Sequence, residues 1–598
     1  MKKKNPKKRP SAKTKPRGSA RPAKKTERPD SGRRLGLAIG VLCLLSVVVY
    51  GNSLSNQFVF DDYDIFVNRV EITSFTYVPR VLGLTTGYTY YRPVRMISYM
   101  LDYFLFGPDP LGFHIFNILY HVLAAVFVYV IVFHMGRRHG VALLAAAIFA
   151  VHPIQTDAVT YLSGRRDVLF SLFYLMGFYF FLQYRSRAKV RYAVYMVACY
   201  VLGLFTKEMA VTLPGAAFAY DLIQRIGGPG YLKKLFRGIW QTYWQSRYLY
   251  TLLFVLAVLF VLYKTVVTHP STAGGYHGGS LSANFLTVAE ILAYYVFLLF
   301  FPFRLNADYS YNAFPVAAAP LHWQVLLSIA VLLVVIMLVI RAAGKDKLLA
   351  FSGLWFFITL LPVCHIFPHH ELLAEHYLYL PMFGFALFSA TLLTNLLGAH
   401  KTRKAWFVGI TAVLLIFFSV RSIHRNADWK DDLTLWKKTV QTAPDCARAR
   451  SNLGKALIST GEFQWAVSEL KQALKIKPDL VTAFSNLGVA YGAMGRYDDA
   501  VNTFEKALDI YPRFADGLYN LGLTLAKKGD IDQAGEYFQK ALEVNPRMAS
   551  AHFNLGLVYK KRGDEEKARR HFGRAAEIRP DSPTAGRARR ALAGLRGD

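Results

Sequence analysis

Between residues 35 and 420, about twelve apolar segments of roughly 16 to 24 residues follow one another, each near the length a helix needs to cross a bilayer core. They run approximately over 35–52, 113–135, 141–160, 168–184, 191–206, 208–225, 247–263, 286–303, 321–341, 347–366, 376–398 and 405–420. So many in succession argue against buried helices of a soluble core. They predict a polytopic α-helical membrane domain over 35–421.

Charge is distributed as such a fold requires. The chain of 598 residues carries 71 Lys and Arg against 39 Asp and Glu, yet 53% of it is hydrophobic. Residues 1–34 hold 15 of the basic residues against only Glu27 and Asp30, on a Pro- and Lys-rich stretch that cannot bury a core and is expected to be a disordered cytoplasmic tail. No small-residue cleavage site precedes Gly51-Asn52-Ser53, so the segment 35–52 is expected to remain as an anchor. Cys43, Cys199, Cys364 and Cys446 are scattered, with no disulfide framework and no metal-ligand spacing.

Lys and Arg mark the cytoplasmic loops: Arg137-Arg138, 185–191, the stretch around Lys233-Lys234 and Arg237, 341–347, and 401–404. The loop 53–112, the turns at 157–167 and 206–208, the stretch 304–320, the turn 366–376 and everything after 421 then lie outside. A chain that starts inside and ends outside crosses an odd number of times. About eleven spans are therefore expected, with 286–303 as a re-entrant or interfacial helix.

After residue 430 the pattern becomes a repeat. Prolines fall at 444, 478, 512, 546 and 580, a step of 34. The same step places Asn-Leu-Gly at 452, 486, 520 and 554, Ala at 466, 500, 534 and 568, and Gly at 461, 495, 529 and 563. This is the tetratricopeptide pattern: four repeats over 445–580, preceded by a junction helix over 422–444 and followed by a capping helix over 581–598.

Residues that could carry chemistry gather on the outer side. Asp61 and Asp62 follow Phe58-Val59-Phe60 shortly after the first membrane helix, and could serve as a general base, as cation ligands or as solvated loop charges. Arg92, Arg95, His114, His121, His152, Asp157, Arg165, Arg166, Asp167, Lys207, Glu208, Arg304, Asp308, His365, His369, His370, Glu371, Glu375 and His376 lie on the same side. Ionisable groups at the ends of membrane helices are costly, so a converging set points to a buried polar site. The four histidines at 365, 369, 370 and 376 fit no common zinc template.

These residues occur in motifs whose order is distinctive: Phe58-Val59-Phe60-Asp61-Asp62, Tyr91-Arg92-Pro93, the stretch from Phe113 to His121, His152-Pro153-Ile154-Gln155-Thr156-Asp157, Gly164-Arg165-Arg166-Asp167, Lys207-Glu208, Leu305-Asn306-Ala307-Asp308, Glu375-His376-Tyr377 and Arg425-Asn426-Ala427-Asp428-Trp429. They resemble those of the transmembrane and tetratricopeptide-repeat-containing O-mannosyltransferases, glycosyltransferases of the GT-C class. The resemblance covers nearly all of the chain after residue 35. It departs at Asp157, where Glu is expected, at Gln155, where His is usual, and at His376, where Arg is usual.

The resemblance implies transfer of a sugar, typically mannose, from a polyprenyl-phosphate carrier to Ser or Thr hydroxyls of a protein or peptide acceptor on the non-cytoplasmic side. Asp61, partnered by Asp62, is then the expected base for the acceptor hydroxyl. Arg92, Arg165, Arg166, Lys207 and His376 are the candidates for the lipid phosphate, although a neutral histidine at 376 weakens that grip. His152, Asp157, Glu208, Asp308 and Glu375 form the supporting polar set. No metal or other cofactor is required, while a divalent cation shared by Asp61, Asp62 and Asp157 is an alternative. Asn452, Asn486, Asn520 and Asn554 recur once per repeat and resemble the Asn ladder with which O-linked N-acetylglucosamine transferase holds peptide backbone.

The expected partners are thus the lipid-linked donor, a polypeptide acceptor and membrane lipid, with no nucleic acid. The plain basic tail and compact loops favour a bacterial inner membrane over endoplasmic reticulum, with the N-terminus cytoplasmic and the repeats periplasmic. Two other readings compete: a non-enzymatic membrane scaffold, and a transporter of lipid-linked sugar.

Overall fold

The computed structural model describes residues 30–67, 69–83, 91–267, 276, 279–310, 313–317, 322–365, 371–397, 403–580 and 582–595. Most of the basic tail, together with His369 and His370, lies outside them. Among the described residues every regular element is helical.

All twelve apolar segments form helices, but they differ in kind. Seven helices are long and apolar enough to cross a membrane, and an eighth candidate is the bent pair His139–Val151 and Pro153–Val159. Val190–Leu204, Lys347–Val363 and Met382–Leu397 are apolar but shorter. The segment expected to be re-entrant or interfacial lies mostly within one unbroken helix, Leu281–Phe300, which is not re-entrant and is long and apolar enough to cross a membrane. The break falls at His152-Pro153. Proline supplies no N–H and pushes the residue before it out of the helical region, and His152 sits at φ −68° and ψ 131° with the chain turning by 51°.

The helices Asp30–Tyr50, Pro110–Gly136, His139–Val151, Arg165–Arg187 and Met382–Leu397 contribute to one apolar core. Across Leu162–Arg187 72% of the apolar window is buried, against 6% across Trp323–Ala343. The first therefore packs against protein, while the second presents its apolar surface outward, as a lipid-facing helix does. The amphipathic helix Tyr231–Gln245 exposes Phe236 and Trp240 beside Lys233 and Arg237, the composition of a helix lying in a membrane interface.

The repeats form paired helices from Ala447 to Ile578, capped by Pro583–Ala593. Their spacing has a steric cause. A Cβ on Gly454, Gly488, Gly522 or Gly556 would come within 3 Å of Leu470, Phe504, Phe538 or Phe572 of the partner helix, so only glycine allows the two helices so close. A second core runs through the repeats and takes in Val59, Tyr161 and Trp429 of the membrane side. The two parts are therefore packed together.

Candidate active site

The Asp61-Asp62 loop is held from both sides. Asp62 is fully buried. Its Oδ1 accepts hydrogen bonds from the backbone N–H (2.9 Å) and the hydroxyl (2.6 Å) of Ser163, and its Oδ2 accepts from the Val59 N–H at 3.1 Å. On the repeat side the Phe60 N–H donates to Asp432 Oδ1 at 2.8 Å, and the Phe60 ring meets Trp436 edge-on at 5.0 Å. Phe60 itself sits at φ +54°, a left-handed conformation unfavourable for a bulky side chain and sustained by these contacts.

This clamp sets Asp61 at the rim, partly exposed, its carboxylate accepting no hydrogen bond from another described residue. Burial raises its pKa above the ordinary carboxylate value, an effect that Arg166 opposes. Asp62 is pushed up to about 7 by burial, against the pull of its Ser163 bonds. The two acids therefore differ in role: Asp62 fixes the loop, and Asp61 is presented.

A chain of polar contacts leads away from Asp61. Arg166 reaches Asp167 at 3.3 Å and donates from NH2 toward His376 Nε2 at 3.3 Å. His376 in turn directs Nδ1 and its backbone N–H to Asp157 Oδ2, both at 3.0 Å. His376 thus lies between Asp157 and Arg166, with Glu371 3.6 Å from its Nε2, and ties Arg166 to the Asp157 side of the site. Asp167 also takes Lys207 Nζ at 2.5 Å, and Lys207 lies 4.9 Å from the centre of the Tyr377 ring. Arg92 pairs with Glu208 at 2.9 Å, and Lys264 pairs with the same carboxylate at 3.0 Å. Burial alone would raise the Glu208 pKa, but Arg92 and Lys264 hold it well below the usual range.

Other residues of the expected site are structural in this geometry. Arg165 is fully buried and ion-paired with Asp102. Its Nε donates to Asn117 Oδ1 at 2.6 Å, its NH2 donates to the Phe113 carbonyl at 2.8 Å, and the guanidinium packs 4.7 Å from the Tyr99 ring centre. It braces three helices and turns no donor to the rim. His152 caps the turn after the helix break by accepting from the Ile154 N–H, and its Nε2 is 3.0 Å from the Leu299 carbonyl. Glu375 is fully buried, accepts from the Asn306 N–H and from the Tyr309 hydroxyl (2.7 Å), and faces Arg425 at 3.6 Å. Asp308 forms a two-pronged pair with Arg448 of the first repeat helix, at 2.6 and 2.8 Å.

Asp62 and Asp157 thus spend carboxylate oxygens on protein donors rather than turning together toward Asp61. Among the described residues no group of three or more His, Cys, Asp or Glu is spaced to hold a metal ion.

Two arginines enter the site beyond the lipid-phosphate candidates: Arg95, one of the outer-side ionisable residues, and Arg448. Arg95 is buried, has no ion-pair partner among the described residues, and lies within electrostatic reach of Arg69, Arg92 and Arg166. Burial lowers its pKa only to about 10, so it stays charged at neutral pH. Its signal was faint in sequence, because three residues after Arg92 it is one helical turn along the same face. Arg448 had no local signal at all, being an unremarked member of a repeat helix. In the repeats, Asn452, Asn486, Asn520 and Asn554 are all half-buried. Asn486 bonds Ser451 at 3.4 Å and Asn554 bonds the Tyr519 hydroxyl at 2.9 Å, while Asn452 Nδ2 has no partner among the described residues.

Comparison with known proteins bears on both halves. The protein O-mannosyl-transferase F38B6.6 of Caenorhabditis elegans is 26% identical over 477 residues, covering 77% of this chain and 65% of that protein. The chain is thus similar to a protein O-mannosyl-transferase over most of its length. A second such relative, TMTC4 of Mus musculus, is 25% identical over 478 residues, covering 70% of this chain and 64% of its own length. The chain spans less than two thirds of the length of these O-mannosyl-transferase relatives. The tetratricopeptide repeat family matches residues 454–495, 481–514 and 514–581. Among solved structures, the crystal structure of MamA is 25% identical, covering 24% of this chain and 85% of that one, with a TM-score of 0.23. The chain is a multi-pass membrane protein that carries tetratricopeptide repeats.

Proposed function

We propose that this protein is a membrane O-mannosyltransferase that moves mannose from a polyprenyl-phosphate carrier to Ser or Thr hydroxyls of a polypeptide on the non-cytoplasmic side, in a GT-C type membrane domain. The observation that carries this reading is Asp61: a carboxylate of raised pKa, without a hydrogen-bond partner among the described residues, on a clamped loop facing a cluster of arginines. The named activity of the relatives supports the same reading.

A serine hydroxyl is a weak nucleophile. Asp61 would accept its proton as the oxygen attacks the anomeric carbon, and a raised pKa brings the base nearer the operating pH. The sugar–phosphate bond breaks as the new bond forms, and the pair of electrons leaves with the lipid phosphate. Arg166, Arg92, Arg95 and Lys207 supply positive charge for that leaving group, while His376 and Asp157 orient Arg166. Arg165, Glu375 and His152 hold the scaffold that aims them. The scheme requires no metal ion. The half-buried asparagines of the repeats would bind the acceptor backbone, and we place the protein in a bacterial inner membrane with its repeats periplasmic.

Asp61→Asn keeps the loop and removes the base, so transfer from a polyprenyl-phosphate mannose to a Ser/Thr peptide should fall by about 10²- to 10⁴-fold with expression and melting unchanged. Undiminished turnover in the folded variant would remove Asp61 from this role.

A further inference from the structure

We propose that a groove on the lipid-facing side of the membrane domain holds one acyl chain of an anionic glycerophospholipid from the leaflet opposite the Asp61 loop. The groove has a volume of about 450 Å³ and lies between the helices Leu281–Phe300, Trp323–Ala343, Lys347–Leu360 and Met382–Leu397. Leu299, Leu338, Leu349, Phe356 and Phe385 contribute to its apolar wall. Ser352, a polar residue within the wall, spends its hydroxyl on the Leu349 carbonyl at 2.7 Å. Such a wall satisfies a hydrocarbon chain and offers nothing to a sugar or a peptide.

Its mouth has the opposite character. Arg341 and Lys345 are exposed there, and neither forms an ion pair with a described residue. Asp346, the acid between them and the next helix, is engaged: Oδ1 caps that helix by accepting from the Leu348 N–H at 2.9 Å, and Oδ2 accepts from Asn395 at 2.9 Å. Two unneutralised cations above an apolar slot match a phosphate headgroup joined to an acyl chain.

Position separates this groove from the reacting phosphate. Helix Trp323–Ala343 starts after the segment that holds Asp308 and carries Arg341 in its last turn, about 27 Å further on. A donor whose phosphate lies near Arg166 has its headgroup at the other end. The charges at this mouth therefore serve a different lipid, whether or not the chain transfers mannose.

The test uses the full chain reconstituted in bilayers of phosphatidylglycerol and phosphatidylcholine in equal parts, then released in mild detergent for native mass spectrometry. One phosphatidylglycerol should remain bound in preference to phosphatidylcholine. Arg341→Ala combined with Lys345→Ala should reduce its retention by about tenfold or more, and Leu338→Trp, which fills the slot and leaves the cations in place, should also release it. Equal retention of both lipids, or retention of phosphatidylglycerol by both folded variants, would overturn the proposal. Displacement by inorganic phosphate would show a headgroup site without chain burial. Displacement by a polyprenyl phosphate would give the groove to the donor tail, and either result would also overturn it.

Discussion

Arg448→Met is the most informative perturbation of the junction between membrane domain and repeats. The Arg448 side chain is 30% exposed, and the Asp308 side chain it holds is 1% exposed. Removing the guanidinium leaves a buried carboxylate whose remaining hydrogen bond is from the Ser310 N–H at 2.8 Å. Two charge-assisted bonds, discounted for the exposed partner, contribute about 2 kcal/mol to docking of the first repeat. That corresponds to a shift of about thirtyfold in the docking equilibrium. The repeat should not unfold, because Ala449, Leu453, Ala456 and Leu470 remain packed.

Hydrogen–deuterium exchange should therefore quicken in the loop 304–310 and at Asp62, with the helix Phe463–Ile476 unaffected. Arg448 also lowers the pKa of Asp61, so its removal should move the acid limb of the pH–rate profile to higher pH. The swapped pair Asp308→Arg with Arg448→Asp should restore part of the docking. Unchanged exchange and an unchanged pH profile in Arg448→Met would refute the view that the first repeat forms a wall of the site.

Two further outcomes are expected. Burial pushes the Glu375 pKa up to about 7 from 4.5, so the folded state binds this proton more tightly than the unfolded state, and its contribution to stability should fall as pH rises from about 4.5 to about 7 and level off above. Thermal melts across that range should show a shallower decline in Glu375→Gln. In the repeats, a Cβ at Gly488 would sit 2.7 Å from the Phe504 ring, so Gly488→Ala should destabilise the solenoid by about 1–3 kcal/mol in denaturant melts while the membrane helices stay intact.

Local chemistry made much of this protein legible. Apolar length located the long apolar helices, though not how many of them cross, because a bilayer fixes the length and composition of what crosses it. The 34-residue step located the repeats, because stacked helix pairs demand small residues at fixed contacts. The Arg425–Trp429 motif was visible as a junction, and its meaning appears only in three dimensions. Arg425 faces Glu375 and bonds Asp428 at 3.0 Å, Asn426 bonds Val49, Asn52 and Thr160, and Trp429 stacks on Tyr161 at 5.0 Å.

What sequence could not separate was which charges are spent. Asp61 and Asp62 are identical neighbours in the chain, yet one is locked by Ser163 and the other is presented. Arg165 and Arg166 divide in the same way, one braced inside three helices and one at the rim. Arg95 was one of many in the outer-side pool, and Arg448 had no sequence signal at all. By itself the sequence determined a basic-tailed membrane domain, its repeats and a pool of ionisable residues on one side, because length, periodicity and charge act locally. Only the tertiary structure decided which members of that pool face one another, since a buried charge takes its role from partners that lie tens to hundreds of residues away.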